Sequence, residues 1–528
     1  MSKLDDLKNS FLKGKINRRE FMKQMSYLGL AGAVSPMLIK GAAVAATPTI
    51  GGKLRMGMAG GAISDTLDPT VFTDLLIMVL SWQLRNNLVE INHKSKPIPE
   101  LAESWESSPD ATTWIFNLRK GIEFHNGKSF EAEDVIFSMN RHRGEDSKSV
   151  AKAYLKPVQE LKADGKHRVV FKLDRGNADF PYFMSDTHLA IVPAGTTDFD
   201  KGIGTGGYSL VEFNPGVRSL VKRNPNYWKS GRAHFDEIEI LCITDSNART
   251  NALQTNTVDV MNRCELKTAD MLKKSPELKV IQVNGALHYT FPMRTDLAPF
   301  DNNDVRLALK YAIDREQLLK IILRGYGSVG NDTPIGPTYQ YYAKDLPQRA
   351  YDPEKAKYHM KKAGMLDHTF TIHASDGAFT GGVEAAVLYS EHARKAGLKI
   401  AVKREPKDGY WKSVWMNKPW CQSYYSGKPT EDWMFSQAYS IESKWNETFW
   451  TNKRFNDLLV KARSELNSDK RREMYGEMQR IMWEEGGTVI PLFSDFVFAT
   501  VNKVQHAELA GNFDLDGLRC SERWWFGS

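Results

Sequence analysis

The chain has 528 residues, 41% apolar and 26% charged, with a mean hydropathy of −0.45, a balance that excludes an integral membrane protein and a disordered one. Its length leaves room for two or three packed units and demands no metal or disulfide staple. The formal charge is +7, but eight lysines and arginines against three acids fall within residues 1–46, which leaves only +2 for everything after. A surplus confined to one end offers no electrostatic footprint for nucleic acid.

The first segment reads as an address. Arg18 and Arg19 precede Phe21, and a weakly apolar, Gly- and Ala-rich run of 15 residues follows at 25–39. That run is shorter than the ~20 residues needed to span a bilayer. Lys40 and the small residues 41–46 come next, the pattern of a twin-arginine signal peptide cleaved after Ala45 or Ala46. The mature protein is therefore expected free in the periplasm.

Residues 52–58 alternate as a strand and open at Gly60-Gly61 into a loop, after which a buried helix begins near Leu75. Strands are predicted at 114–118 and 122–124 around an Asn126-Gly127 turn, and again at 168–173, 208–213, 219–223 and 237–243. From Asp304 onward Val305, Ala308, Leu309, Ala312, Leu319 and Leu323 share a helical face. Asp352-Pro353-Glu354 starts a second helix that Gly364 stops. Two amphipathic helices at 454–466 and 469–485 lead through Gly486-Gly487 to a last strand, 488–493. No internal repeat is present.

Catalytic signatures are missing. Gly202, Gly204 and Gly207 match a dinucleotide fingerprint, but an alternating strand follows where that fingerprint opens a helix. No two histidines sit on one helix face as metal ligands, and there is no nucleophile elbow, P-loop or paired carboxylate, so neither a cofactor nor a metal is expected. Cys242, Cys264, Cys421 and Cys520 contain no C-x-x-C pair; three disulfide pairings and four free thiols all remain open.

Aromatic density is the positive signal. Residues 411–450 hold six of the 13 tryptophans. Trp415, Trp445 and Trp450 are expected in the core. Trp420, Tyr424, Tyr425 and Trp433, around a Gly-Pro loop, are divided between core and cleft wall.

Longer matches then accumulate: Leu67-Asp68-Pro69; 99–106, PELAESWE; 118–127, LRKGIEFHNG; 204–208, GTGGY; 223–228, RNPNYW; and 304–315, DVRLALKYAIDR. With these the chain resembles the periplasmic solute-binding proteins of ABC importers, in the family of dipeptide-, oligopeptide- and nickel-binding proteins. The resemblance implies a two-lobed α/β, Venus-flytrap fold of the large peptide-binding type with two hinge crossings, near 288–295 and 490–499. Lobe I would span 47–290 with an inserted subdomain at about 91–204, lobe II 291–497, and 498–528 would return to lobe I. It implies a monomer, not an enzyme, that hands a peptide or similar solute to an inner-membrane permease. An oligosaccharide or an organic cation is the alternative ligand, and a glycoside hydrolase-like enzyme the alternative class.

Trp420, Tyr424, Tyr425, Asp432, Trp433 and Arg294 are the expected ligand-binding residues. Peptide-binding members carry an Asp three residues after the Trp, gripping the ligand ammonium; in this chain Ser423 stands there when aligned from Trp420 and Tyr425 when aligned back from Pro429, so Glu431 or Asp432 would have to substitute. Arg294 would hold a ligand carboxylate or pair with Asp296 or Asp301. A Cys421–Cys520 bridge close to the hinge is hypothesised, since Cys421 adjoins the site and Cys520 lies in the C-terminal return.

Overall fold

Two long strands, Leu278–Pro292 and Thr488–Val501, run antiparallel and tie the molecule together. In the computed structural model, which describes residues 48–527, they lie inside a nine-stranded mixed sheet. On one flank of Thr488–Val501 the sheet continues through Val260–Met261, Lys53–Met58, Glu237–Cys242, Arg218–Arg223 and Tyr208–Asn214. Lys53–Met58 runs parallel to Glu237–Cys242 and the two strands beyond are antiparallel hairpins. On the other flank the short edge strand Ser423–Tyr425 pairs with His288, Tyr289 and Thr290.

The long pair is interrupted twice, the second time by a smaller shift between Tyr289 and Phe291. Val283 faces Phe496 and Leu287 faces Ser494, so residues 284–286 bulge opposite Asp495. Before the bulge the pair packs into a first core with Leu54, Met56, Phe235, Ile240, Phe498 and Trp524. After it, Phe291, Met293, Val489 and Leu492 belong to a second core with Leu309, Phe370, Ile372, Tyr389 and Trp420. A third core lies within residues 88–191 around Trp114, Phe116, Phe130, Phe171 and Phe180, on the four-stranded sheet of Ala102–Ser107, Thr113–Leu118, Arg168–Leu173 and Val158–Ala163. A fourth, with Tyr339, Tyr425, Phe435, Tyr475 and Met478, is built on the helices Glu431–Ala438, Lys453–Ser464 and Ser468–Glu485. Residues 50–526 form one compact unit.

Side-chain caps set the helix starts that position the site. Asn452 and Asn467 accept backbone N–H groups at Phe455 and Asp469, and the Thr430 hydroxyl accepts from Trp433 N. Asp352, with Pro353 behind it, starts Pro353–Lys362, and Gly364 follows at a left-handed φ of 71°. The predicted strand at 122–124 is absent: the tight turn leaves only an isolated bridge, Glu123 to Ser129. The last strand is longer than its alternation suggested, because Leu278–Pro292 supplies partners up to Val501. At the glycine motif a Cβ on Gly206 would fall 2.3 Å from the Leu84 carbonyl carbon, so glycine there lets two backbones touch, and the strand Tyr208–Asn214 follows.

The Arg18-Arg19 signal and its cleavage site lie outside the described residues. Among those described, no helix is long and apolar enough to cross a membrane.

Candidate functional site

A cleft of about 120 Å³ opens between the third and fourth cores. Tyr154, Tyr182 and Asp186 form one wall, Tyr339, Lys428 and Trp433 the other, and Ala286 and Asn512 close the base beside the bulge. The loop carrying Lys428 is held closely: its backbone N–H donates to Tyr339 Oη at 3.0 Å, and a Cβ on Gly427 would lie 2.2 Å from that of Ala286. Only glycine admits that approach.

Trp433 projects from the first turn of its helix across the gap. Its ring meets Tyr154 edge-to-face at 4.4 Å and Phe183 at 4.9 Å. Nearby, the two walls are joined by an Arg471–Asp179 ion pair at 2.7 Å, by Ala178 N donating to the Arg463 carbonyl at 2.7 Å, and by Tyr182 Oη donating to Gln340 Oε1 at 3.0 Å.

Lys428 is the unusual charge. Burial pushes its ammonium below the ordinary lysine range, opposed by the field of Asp186. Its Nζ lies 5.9 Å from the Trp433 ring centroid, and among the described residues no carboxylate oxygen comes within 4.0 Å of it. Asn512 Oδ1 is buried without a donor. A cation without an anion, an acceptor without a donor and the aromatic rings of Tyr154, Tyr182, Tyr339 and Trp433 together suit a small polar solute bearing a carboxylate.

Of the residues expected at the site, Trp433 lines the cleft. Trp420 does not: it is fully buried in the second core between Phe300 and Tyr389. Tyr425 faces the fourth core and donates through Oη to the Trp445 carbonyl at 2.7 Å, while Tyr424, one residue earlier on the pleated edge, points the other way and is 42% exposed. Asp432 is buried and ion-paired with Arg463 at 3.1 Å. Glu431 accepts from Tyr341 N at 2.6 Å, so both acids have partners within the protein. Arg294 grips Asp296 through two nitrogens, at 3.1 and 2.6 Å, and stacks 4.0 Å over Phe449. Cys421 and Cys520 are free thiols buried in the second and first cores respectively, which corrects the hypothesised bridge. Trp445, expected in the core, is 50% exposed.

Sequence reasoning missed Lys428, Tyr154 and Asp186. Lys428 stood in the aromatic loop directly before Pro429, a usable signal; Tyr154 and Asp186 carry none, being brought in from a distant stretch of chain. One buried acidic trio, Glu90, Glu100 and Glu522, has metal-ligand spacing, but Lys229 Nζ sits among the three at 2.8, 2.7 and 2.9 Å and supplies the positive charge itself.

Comparison with known proteins agrees with this architecture. The glutathione-binding protein GsiB of Pectobacterium atrosepticum is 25% identical over 483 residues, 88% of this chain and 93% of its own. The fold matches HbpA2 of Haemophilus parasuis with a TM-score of 0.79 at 21% identity, over 88% of this chain and 99% of that one. It also matches the periplasmic binding protein DppA of Helicobacter pylori, in complex with the peptide STSA, with a TM-score of 0.71 at 23% identity, over 91% and 99% of the two chains. The family model described as bacterial extracellular solute-binding proteins, family 5, matches residues 96–447, and the chain belongs to that family.

Proposed function

We propose that this protein is the periplasmic substrate-binding component of an ABC importer, and that it captures a peptide or similar small carboxylate-bearing solute in the cleft around Lys428 and Trp433. Lobe I comprises 47–290 with 498–528 and contains the subdomain at 91–204; lobe II comprises 291–497. The two long strands connect the lobes, and the bulge at 284–286 opposite Asp495 is where they bend. Contacts to solute from both walls exist only when the cleft is shut, so binding shifts the population toward the closed form, which an inner-membrane permease receives. Twin-arginine export, directed by Arg18 and Arg19 and ended by cleavage near Ala45 or Ala46, delivers the monomer to the periplasm. Replacing both arginines by lysine should leave precursor in the cytoplasm.

The observation that carries the ligand reading is the unpaired Lys428 ammonium in an aromatic cleft. The names of relatives that bind glutathione or carry a bound peptide support it. Native mass spectrometry of protein taken from its own periplasm names the solute class directly. Thermal-shift titration with dipeptides tests the anchor: a free-carboxyl ligand at 100 times its dissociation constant stabilises by about 2.7 kcal/mol. Amidating that carboxyl, or Lys428→Ala, should weaken binding at least ~10-fold. Equal affinity for amidated and free peptides would overturn the anchor.

A further inference from the structure

One wall of the cleft carries the short helix Phe180–Phe183 with Asp179 at its start, and the other is built from the helices Glu431–Ala438, Lys453–Ser464 and Ser468–Glu485. Three acids gather where the walls meet: Asp179, Glu431 and Asp432 are 2%, 2% and 5% exposed. Two arginines serve them. Arg463 reaches both oxygens of Asp432, at 3.1 and 3.2 Å, and Arg471 crosses from the second wall to one oxygen of Asp179 at 2.7 Å. The other Asp179 oxygen is buried without a donor. Glu431 accepts from Tyr341 N at 2.6 Å, and among the described residues no Lys, Arg or His nitrogen comes within 4.0 Å of it. The other groups facing the acids and their arginines are Tyr182 on the first wall, Tyr339, Tyr341 and Tyr475 on the second, and the exposed Glu442 beyond Arg463. Burial keeps Tyr182, Tyr339 and Tyr475 neutral.

The shut seam is therefore short of one positive charge and one hydrogen-bond donor, and a buried carboxylate in that position is costly. A proton supplies both at once. When the walls part, Asp179 leaves the other two acids, water reaches all three, and the deficit disappears. Resting on the two-lobed reading but not on the identity of the solute, we propose that closing the walls takes up one proton, shared among Asp179, Glu431 and Asp432, so that acid favours the shut form and alkali the open one. A solute whose contacts exist only in the shut form is then held more tightly in acid and released more readily as the medium turns alkaline.

Burial, helped by the field of Asp179, pushes Glu431 up to about 7 and Asp432 up to about 6 against the opposing arginines. Burial also opposes the charge on Arg463 and Arg471, but the fields of Asp432 and Asp179 outweigh it and keep both guanidinium groups charged. Because the acids repel one another, they titrate as a set. A carboxyl whose value is higher in the shut form favours closure in full below its ordinary range, and that contribution is lost as pH rises through about 7. One other titrating pair adjoins the cleft: burial lowers His188, but Asp186 at 2.5 Å outweighs it and holds the ring above its ordinary range. That pair lies within the first wall and does not cross the seam.

The test follows amide hydrogen exchange in the solute-free protein. The Ala178 N–H donates across the seam to the Arg463 carbonyl at 2.7 Å, so its protection, corrected for the intrinsic rate at each pH, reports closure directly. One proton predicts a ~10-fold loss of protection from about pH 6 to about pH 8, with a larger radius of gyration in small-angle scattering at the higher pH. Glu431→Gln still accepts from Tyr341 N but cannot ionise, and should keep both readouts flat and the seam shut at the higher pH. Segment 86–100, away from the seam, should keep its protection throughout, which separates parting of the walls from unfolding. The readout needs no ligand: a failed carboxylate anchor at Lys428 leaves it untouched, and a failed latch leaves that anchor standing. Protection of Ala178 that does not change with pH, or that changes equally in Glu431→Gln, would overturn the proposal.

Discussion

Lys229 lies within 2.9 Å of three carboxylates, Glu90, Glu100 and Glu522, and Arg519 grips Glu100 through two nitrogens at 2.7 and 3.0 Å. Across the cleft walls Arg471 meets Asp179, and within the second wall Arg463 meets Asp432, with Glu431 close by and one Asp179 oxygen left without a donor. Both groups are buried and built from the same residue types, yet their charge balance differs. In the first, burial alone would raise Glu90 and Glu522, but Lys229 and the surrounding arginines outweigh it and hold both well below the usual carboxylate range. In the second, three acids share two arginines, and burial wins: Glu431 is pushed up to about 7 and Asp432 to about 6. The first group rivets the C-terminal segment to the 86–100 region; the second, short of one cation, lies along the seam between the two walls, which the Arg471–Asp179 pair and two hydrogen bonds cross. A charge cluster locks a fold where cations match or outnumber acids, and leaves an interface ready to part where they do not.

Removing the centre of the rivet should have the largest effect. Lys229→Met leaves three buried carboxylates short of a cation and is expected to cost about 3–5 kcal/mol of stability, read by urea unfolding. A loss below ~1 kcal/mol would equate the rivet with a surface pair.

The pH dependence of the two groups should have opposite signs. Glu431, whose folded value lies above its unfolded one, contributes stability in full below about pH 4.5, and that contribution is lost as pH rises through about 7. Glu431→Gln, which can still accept from Tyr341 N, should therefore gain up to about 3 kcal/mol over the wild type at alkaline pH and nothing in acid. Glu90 and Glu522 are depressed, so their contribution is present above the ordinary carboxylate range and lost only as pH falls well below it. Melting temperatures of wild type and variant from acid to mildly alkaline pH separate the two.

Arg471→Met cuts the seam at its Asp179 pair. It should weaken the cleft ligand by about 2 kcal/mol, ~30-fold, and widen the unliganded particle in small-angle scattering, while lowering the melting temperature far less than Lys229→Met. Trp433→Ala, which removes two edge-to-face contacts across the same seam, should cost about 1–2 kcal/mol of ligand affinity, measured by calorimetric titration.

Much of the architecture was legible in the chain because it depends on local patterning. The apolar stripe from Val305 to Leu323 and the Asp352-Pro353 start became the helices Asn303–Tyr311, Arg315–Ile322 and Pro353–Lys362. The strand after Gly207 ruled out a nucleotide loop, and it is Tyr208–Asn214. The family was legible too, from ordered short matches that tertiary packing does not alter. Which aromatic does what was not. Trp420 and Trp433 share a composition-rich stretch, but the first sits among Phe300 and Tyr389 and the second at a helix start capped by Thr430, facing Tyr154 from far earlier in the chain. The acid missing at Ser423 was sought a few residues downstream, whereas the carboxylate the Ser423 hydroxyl meets is Glu447, carried there by a loop. Cys421 and Cys520 looked pairable until the cores that hold them proved separate. Sequence determined the elements and the family, because periodicity, capping and ordered motifs act over a few residues. Only the tertiary structure decided the partners of Lys428, Trp433 and Glu447, because those depend on which distant segments the two long strands bring face to face.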